Sequence, residues 1–340
     1  MKYKLLGRSG LKVSELSLGT MGFGTEAGWG ADKATSFDII DAYAAAGGNF
    51  LDTANIYKLG TSEKIIGEYL ANHDRDHFVV ATKYTLKDNT TNVNASGNNR
   101  KNMMRSVEES LKRLGTDFID LLYLHIWDDL TPIDEVLRGL DDLVRQGKVN
   151  YIGISDTPAW VVAKGNTLAE LMGWSQFVAL QVEYSLIART PERELTPMAK
   201  HFGLTVTPWA PLGGGVLTGK YQRGEPGRIK PESKRRNDKA VEITRAVIEI
   251  ADELGVSPGN VALKWTTQQG FQSIPIVGAT KVSQLEDNLK TIDIVLSAEQ
   301  LKKLDEVSSI DLGFPGDFFR EDGVKTNVYG GFYDRIEKGS

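Results

Sequence analysis

Eight short apolar runs that alternate with helical patterns constrain the fold of this 340-residue chain more than any other feature. Buried strands are predicted at residues 16–18, 49–51, 77–82, 118–124, 149–154, 177–182, 204–207 and 273–277. Helical periodicity is predicted over 35–46, 62–71, 103–114, 133–146, 159–172, 192–202, 240–254 and 258–268, and a further helix is predicted after the last strand, over 279–289. Strands that alternate with helices in this way favour an α/β fold, the (β/α)8 TIM barrel, preceded by a β-hairpin within residues 2–13.

No linker interrupts the alternation, so one barrel domain over residues 1–340 is predicted, with its core at about 4–307 and a C-terminal tail at 308–340. A doubly wound sheet is the alternative, but no G-x-G-x-x-G follows the first strand. Three segments resemble insertions: the polar loop 87–99, the basic loop 221–239 and the tail. Six aromatic residues in the tail leave open whether it lines a substrate pocket or only ties itself to the barrel.

Composition limits the environment and the partners of the chain. A net charge of −5 gives no reason to expect nucleic acid or an anionic membrane as a partner. The chain has no cysteine, which removes disulfides, thiolate chemistry and cysteine-ligated metals. No signal-peptide pattern opens the sequence and no apolar run approaches about 18 residues, so a cytoplasmic location is predicted. The sequence does not indicate an oligomeric state.

Four chemically distinctive residues follow the second, third and fourth predicted strands. Asp52, Lys83 and His125 stand at the strand ends, and Tyr57 lies in the loop after Asp52. In a (β/α)8 barrel these ends meet at one face. A phenol with an ordinary pKa near ~10 donates a proton at neutral pH only if a nearby cation stabilises the phenolate. Lys83, paired with Asp52, is predicted to be that cation, which indicates a carbonyl reduction site.

Each of these residues taken alone is more often a packing or solvated residue than a catalytic one. Their position on neighbouring strand ends of one barrel favours the catalytic interpretation. A nucleotidase P-loop is excluded, because Tyr221 replaces the Ser or Thr that would follow Gly219-Lys220 in G-x-x-x-x-G-K-[ST]. No metal site is predicted, since no His, Asp and Glu ligands cluster at the strand ends.

The ordered motifs of residues 4–307 resemble the aldo-keto reductase family, in its aryl-alcohol dehydrogenase-like branch. The motifs are Leu18-Gly19-Thr20-Met21, Asp52-Thr53-Ala54-Asn55-Ile56-Tyr57, Ala81-Thr82-Lys83, Asp120-Leu121-Leu122-Tyr123-Leu124-His125, Gly153-Ile154-Ser155, Trp209-Ala210-Pro211-Leu212-Gly213-Gly214-Gly215 and Pro275-Ile276-Val277-Gly278. The resemblance implies a (β/α)8 barrel that reduces a small-molecule carbonyl compound with a nicotinamide dinucleotide, usually NADPH, with NADH not excluded. By this resemblance Tyr57 is the proton donor, Lys83 lowers its pKa, Asp52 holds Lys83, and His125 orients the carbonyl.

The resemblance also assigns the cofactor residues. Ser155, Asp156 and Gln181 match positions that contact the nicotinamide carboxamide, and Trp209 matches the residue that stacks on its ring. Position 156 is commonly Asn in the family, and an aspartate accepts from the carboxamide NH2 but does not donate to its oxygen. The other assigned residues are Thr20, Met21, Asp52, Ala210, Pro211, Leu212, Gly214, Leu217, Gly219, Lys220, Arg228, Gly278, Thr280, Lys281, Gln284, Asp287 and Asn288.

The substrate itself is not indicated. Phe23, Trp29 and Trp127, together with Tyr57 and His125, predict an apolar or aromatic pocket, although aromatic rings also stack on sugars. A second functional class stays open as an alternative: a redox-sensing or channel-associated subunit that binds NADPH without efficient turnover. Both classes share the barrel and the cofactor site.

Overall fold

A computed structural model describes residues 1–26, 28–87, 91–227 and 229–337. Eight parallel strands form one sheet: β3 Ser17–Gly19, β4 Phe50–Asp52, β5 Val79–Tyr84, β6 Ile119–Leu124, β7 Val149–Ser155, β8 Phe177–Glu183, β9 Thr205–Trp209 and β10 Ile276–Gly278. Their order in the sheet is β10-β3-β4-β5-β6-β7-β8-β9. The sheet closes where Val206 of β9 bridges Ser273, just before β10. The predicted (β/α)8 barrel is therefore confirmed.

The helices surround this barrel and extend into the C-terminal tail. They are α1 Lys33–Ala45, α2 Thr61–Leu70, α3 Arg100–Leu114, α4 Ile133–Arg145, α5 Ala159–Met172, α6 Leu195–Phe202, α7 Asp238–Leu254, α8 Pro258–Thr267, α9 Val282–Leu289, α10 Ala298–Val307 and α11 Asp322–Tyr329. Sequence analysis did not predict α10 or α11, and it began the sixth helix too early, because a separate 3-10 turn occupies Thr190–Arg193. No helix in the described part of the chain is long and apolar enough to cross a membrane.

Helix α3 shows how the local sequence sets these elements. The Asn99 side chain accepts a hydrogen bond from the backbone N–H of Asn102 at 2.9 Å, which caps the first turn. Apolar side chains then recur at helical spacing and face the sheet, and Gly115 ends the helix in a left-handed conformation. The buried apolar residues of α3 are Met103, Val107, Leu111 and Leu114.

An antiparallel hairpin, β1 Tyr3–Leu5 and β2 Lys12–Ser14, plugs the N-terminal end of the barrel. Leu6 and Val13 are fully buried against strand residues inside the barrel. Gly7 has a φ of +57°, and a Cβ on it would lie 2.1 Å from a backbone oxygen, so no other residue fits this turn. The hairpin leaves the C-terminal end of the barrel as the open face.

The tail after α10 lies outside the core. No residue between 312 and 337 is buried. Arg193 ties the start of the tail to the barrel by donating to the backbone oxygen of Asp311 at 2.9 Å.

Candidate active site

A cavity of about 790 Å³ opens at the C-terminal ends of the strands. Residues from nearly every strand end line it, as sequence analysis expects for this fold. The lining residues are Gly19, Met21, Gly22, Trp29, Asp52, Ile56, Tyr57, Leu86, His125, Ser155, Asp156, Gln181, Trp209, Ala210, Pro211, Leu212, Gly214, Gly215, Thr218, Lys220, Arg235, Leu263, Ile276, Val277, Gly278, Ala279, Thr280, Gln284, Asp287 and Asn288.

The structure brings Asp52, Tyr57 and Lys83 into one hydrogen-bonded group. The Lys83 ammonium is fully buried and lies 2.7 Å from Asp52 Oδ2. It also donates to the Thr53 carbonyl at 2.8 Å and to the Tyr57 hydroxyl at 3.2 Å. Gln181 Nε2 donates to the other Asp52 oxygen at 2.9 Å. Both carboxylate oxygens and the ammonium are thus satisfied, which is the condition for burying an ion pair.

Buried hydroxyl groups hold the loop that carries this group. Thr20 Oγ1 donates to the Asp52 carbonyl at 3.0 Å and lies 2.8 Å from Ser62 Oγ. Ser62 Oγ also lies 2.8 Å from Thr53 Oγ1. These contacts join the ends of β3 and β4 to the first turn of α2. These contacts therefore fix the backbone at Asp52 and Thr53.

Burial and charge act on Tyr57 in opposite directions. Burial raises the pKa of the Tyr57 phenol, and the Lys83 ammonium lowers it by less, so the net direction is upward. This net direction is opposite to the lowered pKa expected from the resemblance. A raised pKa keeps the phenol protonated at neutral pH, which a proton donor requires. Burial lowers the pKa of Lys83, but the attraction of Asp52 and Tyr57 outweighs it, so that pKa is raised and Lys83 stays charged.

His125 completes the group as a neutral ring. Burial, assisted by the charge of Lys83, lowers the pKa of His125 to about 3. Its ring contacts the Tyr57 ring edge-on, with centroids 5.9 Å apart. The backbone N–H donates to the Tyr84 carbonyl at 3.1 Å, which holds the residue at the end of β6. A neutral imidazole can donate a hydrogen bond into the cavity without carrying charge.

The opposite wall contains the residues assigned to the carboxamide. Asp156 accepts from the Trp209 indole N–H at 3.0 Å, and burial raises its pKa. Its φ of +40° lies in the left-handed region, which Asp and Asn both tolerate better than most residues. Ser155 Oγ is buried and has no hydrogen-bond partner among the described residues. An orphaned hydroxyl on a cavity wall fits a bound amide, so this wall fits a nicotinamide.

The phosphate-facing edge is built from glycine turns and a helix start. Gly214 and Gly215 adopt φ values of +70° and +92° within the 3-10 segment Gly213–Thr218, beside the cavity-lining Lys220. At the start of α9, Thr280 donates through both its N–H and its hydroxyl to the Gln284 side-chain oxygen, at 2.9 and 3.2 Å. This amide oxygen stands where an anion would bind a helix N-terminus.

Several assigned residues do not line the cavity. Thr20 and Leu217 are fully buried, Gly219 ends the 3-10 segment, and Lys281, at the N-cap position of α9, is exposed. Arg228 lies outside the described residues.

Two substrate-pocket predictions are corrected by the structure. Phe23 is fully buried in the core, because its backbone bridges Ala31 and turns the ring inward. Trp127 is half-buried and packs against the core, while the shorter Leu86 reaches the cavity. Trp29 lines the cavity as expected.

Arg235 lines the cavity and was not predicted from the sequence. Its guanidinium pairs with Glu183 at 2.6 Å and lies 5.6 Å from the centroid of the Trp209 ring. From the sequence, loop 221–239 was interpreted as a basic insertion, and Arg228 was its one residue assigned to the cofactor. The clustering of positive charge after a glycine-rich turn was the available signal.

Comparison with known proteins gives a consistent result. Residues 15–309 match the model of the aldo/keto reductase family. An NADP(+) aryl-alcohol dehydrogenase from Phanerodontia chrysosporium is 39% identical, with 96% of this chain and 91% of that protein covered. Norsolorinic acid reductase from Aspergillus flavus is 36% identical, covering 93% of this chain and 83% of that protein. A probable aryl-alcohol dehydrogenase from Saccharomyces cerevisiae is 37% identical, over 87% of this chain and 94% of its own length.

Proposed function

The chain belongs to the aldo/keto reductase family, and from this premise we propose that it reduces an aldehyde or ketone to an alcohol with NADPH. The observation that carries the proposal is the group in which one buried ammonium contacts both Asp52 and the Tyr57 hydroxyl. That group provides a proton and a cation at the mouth of a cavity large enough for a dinucleotide and a small molecule.

Bound NADPH supplies the hydride. Tyr57 donates its hydroxyl proton to the oxygen of the substrate carbonyl as negative charge develops there. The phenolate that remains is stabilised by Lys83, 3.2 Å from the phenol oxygen. Asp52 keeps Lys83 in place and balances its charge, and the Gln181 amide holds Asp52.

His125 orients the substrate. Because its pKa lies at about 3, the ring stays neutral throughout the physiological range and acts as a hydrogen-bond donor rather than an acid. Its edge contact with the Tyr57 ring directs both groups to the same carbonyl oxygen. A carbonyl held by two donors approaches in one orientation.

The residues that would hold NADPH form a continuous wall. Ser155, Asp156 and Gln181 would bind the carboxamide, and Trp209 would stack on the ring. The turn at Gly214 and the start of α9 would contact the phosphates through backbone N–H groups. The relative named for NADP(+) supports this choice of cofactor. Aromatic carbonyl compounds are the proposed substrates, supported by the aryl-alcohol dehydrogenase relatives and by Trp29 on the cavity wall.

We expect Tyr57→Phe to lower kcat for NADPH-dependent reduction of benzaldehyde by roughly 100- to 10,000-fold, since it removes the proton donor. NADPH affinity, measured by titration, should stay within about threefold. Tyr3→Phe, on the opposite end of the barrel, is the matched control and should change neither quantity. Near-normal kcat in Tyr57→Phe would contradict the donor role. Wild-type protein that binds NADPH but turns over no aldehyde would favour the sensor alternative.

A further inference from the structure

Trp29 lies in the loop between β3 and α1, whose two ends are joined by backbone hydrogen bonds. Two hydrogen bonds close the loop, from Gly24 N–H to the Ala31 carbonyl at 2.8 Å and from Ala31 N–H to the Gly22 carbonyl at 2.7 Å. A Cβ on Gly30 would lie 2.1 Å from the oxygen of Gly24, so the two sides of the loop touch. Trp29 is 39% exposed and presents its ring to the cavity.

One side chain from a different loop holds both the ring and the backbone of Trp29. The Lys58 ammonium lies 3.8 Å from the centroid of the Trp29 ring, within cation–π distance. It also donates a hydrogen bond to the Trp29 carbonyl oxygen. Lys58 directly follows Tyr57 in sequence. These two contacts between Lys58 and Trp29, the Lys58 clamp, therefore link the loop of the proton donor to an aromatic residue of the cavity wall.

The backbone at the clamp is strained. Lys58 and Leu59 have φ values of +50° and +54°, in the left-handed region that non-glycine residues rarely adopt. Such strain persists only where the surroundings hold it. The stem of Lys58 packs against the Trp29 loop, since a Cβ on Gly24 would lie 3.2 Å from Lys58 Cβ. The strained conformation thus places the ammonium over the indole.

We propose that Lys58 is a positioning residue that holds Trp29 as a flat platform for the aromatic ring of the substrate. The inference rests on the proposed reductase activity and deepens it. Ile56 and Leu86 line the same cavity as Trp29 and supply an apolar surround. A ring that stacks on the platform gains affinity, and a short aliphatic chain does not, so Lys58 contributes to discrimination between these substrates.

Steady-state kinetics with benzaldehyde and butanal test the role. Lys58→Met keeps the stem and removes the charge, so KM for benzaldehyde should rise about tenfold while kcat stays within threefold. KM for butanal should change less than twofold. Lys58→Arg retains a cation that stacks on indole and should restore most of the benzaldehyde affinity. Lys64→Met, an exposed lysine of α2, is the matched control and should leave both substrates unchanged.

The outcomes separate this inference from the reductase activity. If Lys58→Met raises KM equally for benzaldehyde and butanal, or leaves the KM for benzaldehyde unchanged, the positioning role is overturned. Wild-type turnover would still support the reductase activity. Absence of wild-type turnover with either aldehyde overturns the proposed function instead. If Lys58→Met does not fold, Lys58→Gly removes the side chain at a position where glycine suits the backbone, and it should show the same selective rise in benzaldehyde KM.

Discussion

His125 ties the stability of the protein to pH. The folded ring has a pKa of about 3, whereas an unfolded imidazole has about 6.5. As the pH falls below the pKa of the unfolded imidazole, the unfolded chain binds a proton that the folded chain does not bind. The free energy of unfolding therefore falls. Between about pH 7.5 and 5.5 the expected loss from this residue is about 1.4 kcal/mol.

Urea unfolding of wild type and His125→Gln at these two pH values measures that loss. Contributions from the rest of the chain are common to both proteins and cancel in the comparison. The wild-type free energy of unfolding should fall by about 1.4 kcal/mol more than that of the variant. Equal pH dependence in the two proteins would show that the folded imidazole titrates normally.

Lys83 and Asp52 form a buried ion pair whose parts depend on each other. Lys83→Met leaves the Asp52 carboxylate buried without its cation, and we expect a cost of about 3–5 kcal/mol in the free energy of unfolding. Adding Asp52→Asn removes the unpaired charge, so the double variant should be more stable than Lys83→Met alone. Denaturant titration of the four proteins checks this. If the cost of the double variant equals the sum of the costs of Lys83→Met and Asp52→Asn, the two residues do not stabilise each other.

Sequence reasoning reached the residues whose position follows from the barrel rule. Asp52, Lys83 and His125 end neighbouring strands, and parallel strand ends meet at one face. It failed where a loop decides which way a ring points. Phe23 and Trp29 lie on the same loop, yet one ring is buried in the core and the other faces the cavity. The different positions of the two rings arise from the hydrogen bonds and glycines that shape this loop.

At the scale of elements, we propose that the start of helix α9 sets the preference between NADPH and NADH. Lys281 occupies the N-cap position of this helix without a side-chain capping hydrogen bond and is exposed, while the Gln284 amide oxygen accepts from the Thr280 N–H just before the helix. A 2′-phosphate that displaces the Gln284 oxygen would gain the N–H and the hydroxyl of Thr280 and the charge of Lys281. A partly exposed charge-assisted contact contributes about 1.5–3 kcal/mol, or roughly ten- to a hundred-fold in affinity.

We therefore expect NADPH to bind about ten- to a hundred-fold more tightly than NADH. Lys281→Ala should weaken NADPH binding and leave NADH binding almost unchanged. Fluorescence titration of both cofactors into wild type and variant measures the difference. Lys302→Ala, at an exposed position of α10, is a control that should affect neither cofactor. Equal wild-type affinities would contradict the proposed selectivity.

Elements with strong periodicity were predictable, and the exceptions have physical causes. The strands of the barrel are buried on both faces, so they appear as continuous apolar runs. Helix α10 was missed although Ser297 and Gln300 form a capping box at its start. Most residues of this helix are polar, and Leu304 is its one buried side chain in the described part of the chain. Helix α11 buries no residue, so it has no apolar stripe to predict.

At the scale of the whole molecule, the aromatic tail is separable from the barrel. No described tail residue lines the cavity, and none between 312 and 337 is buried. A chain that stops at residue 311 should therefore unfold within about 0.5 kcal/mol of the full chain, as expected for exposed positions. Its kcat/KM for benzaldehyde should stay within threefold. A larger loss of kcat/KM would show that the tail contributes to the pocket during turnover.

The hairpin that plugs the N-terminal end of the barrel makes the molecule suited to oriented attachment. Lys12 lies exposed on β2, at the end opposite the cavity. Because the chain contains no cysteine, Lys12→Cys would introduce its single thiol at that end. A maleimide-coated electrode or bead would then bind every molecule by its base and leave every cavity facing the solution. Random coupling through amines could not achieve this, since two lysines lie at the other end: Lys220 lines the cavity and Lys58 contacts the cavity-lining Trp29.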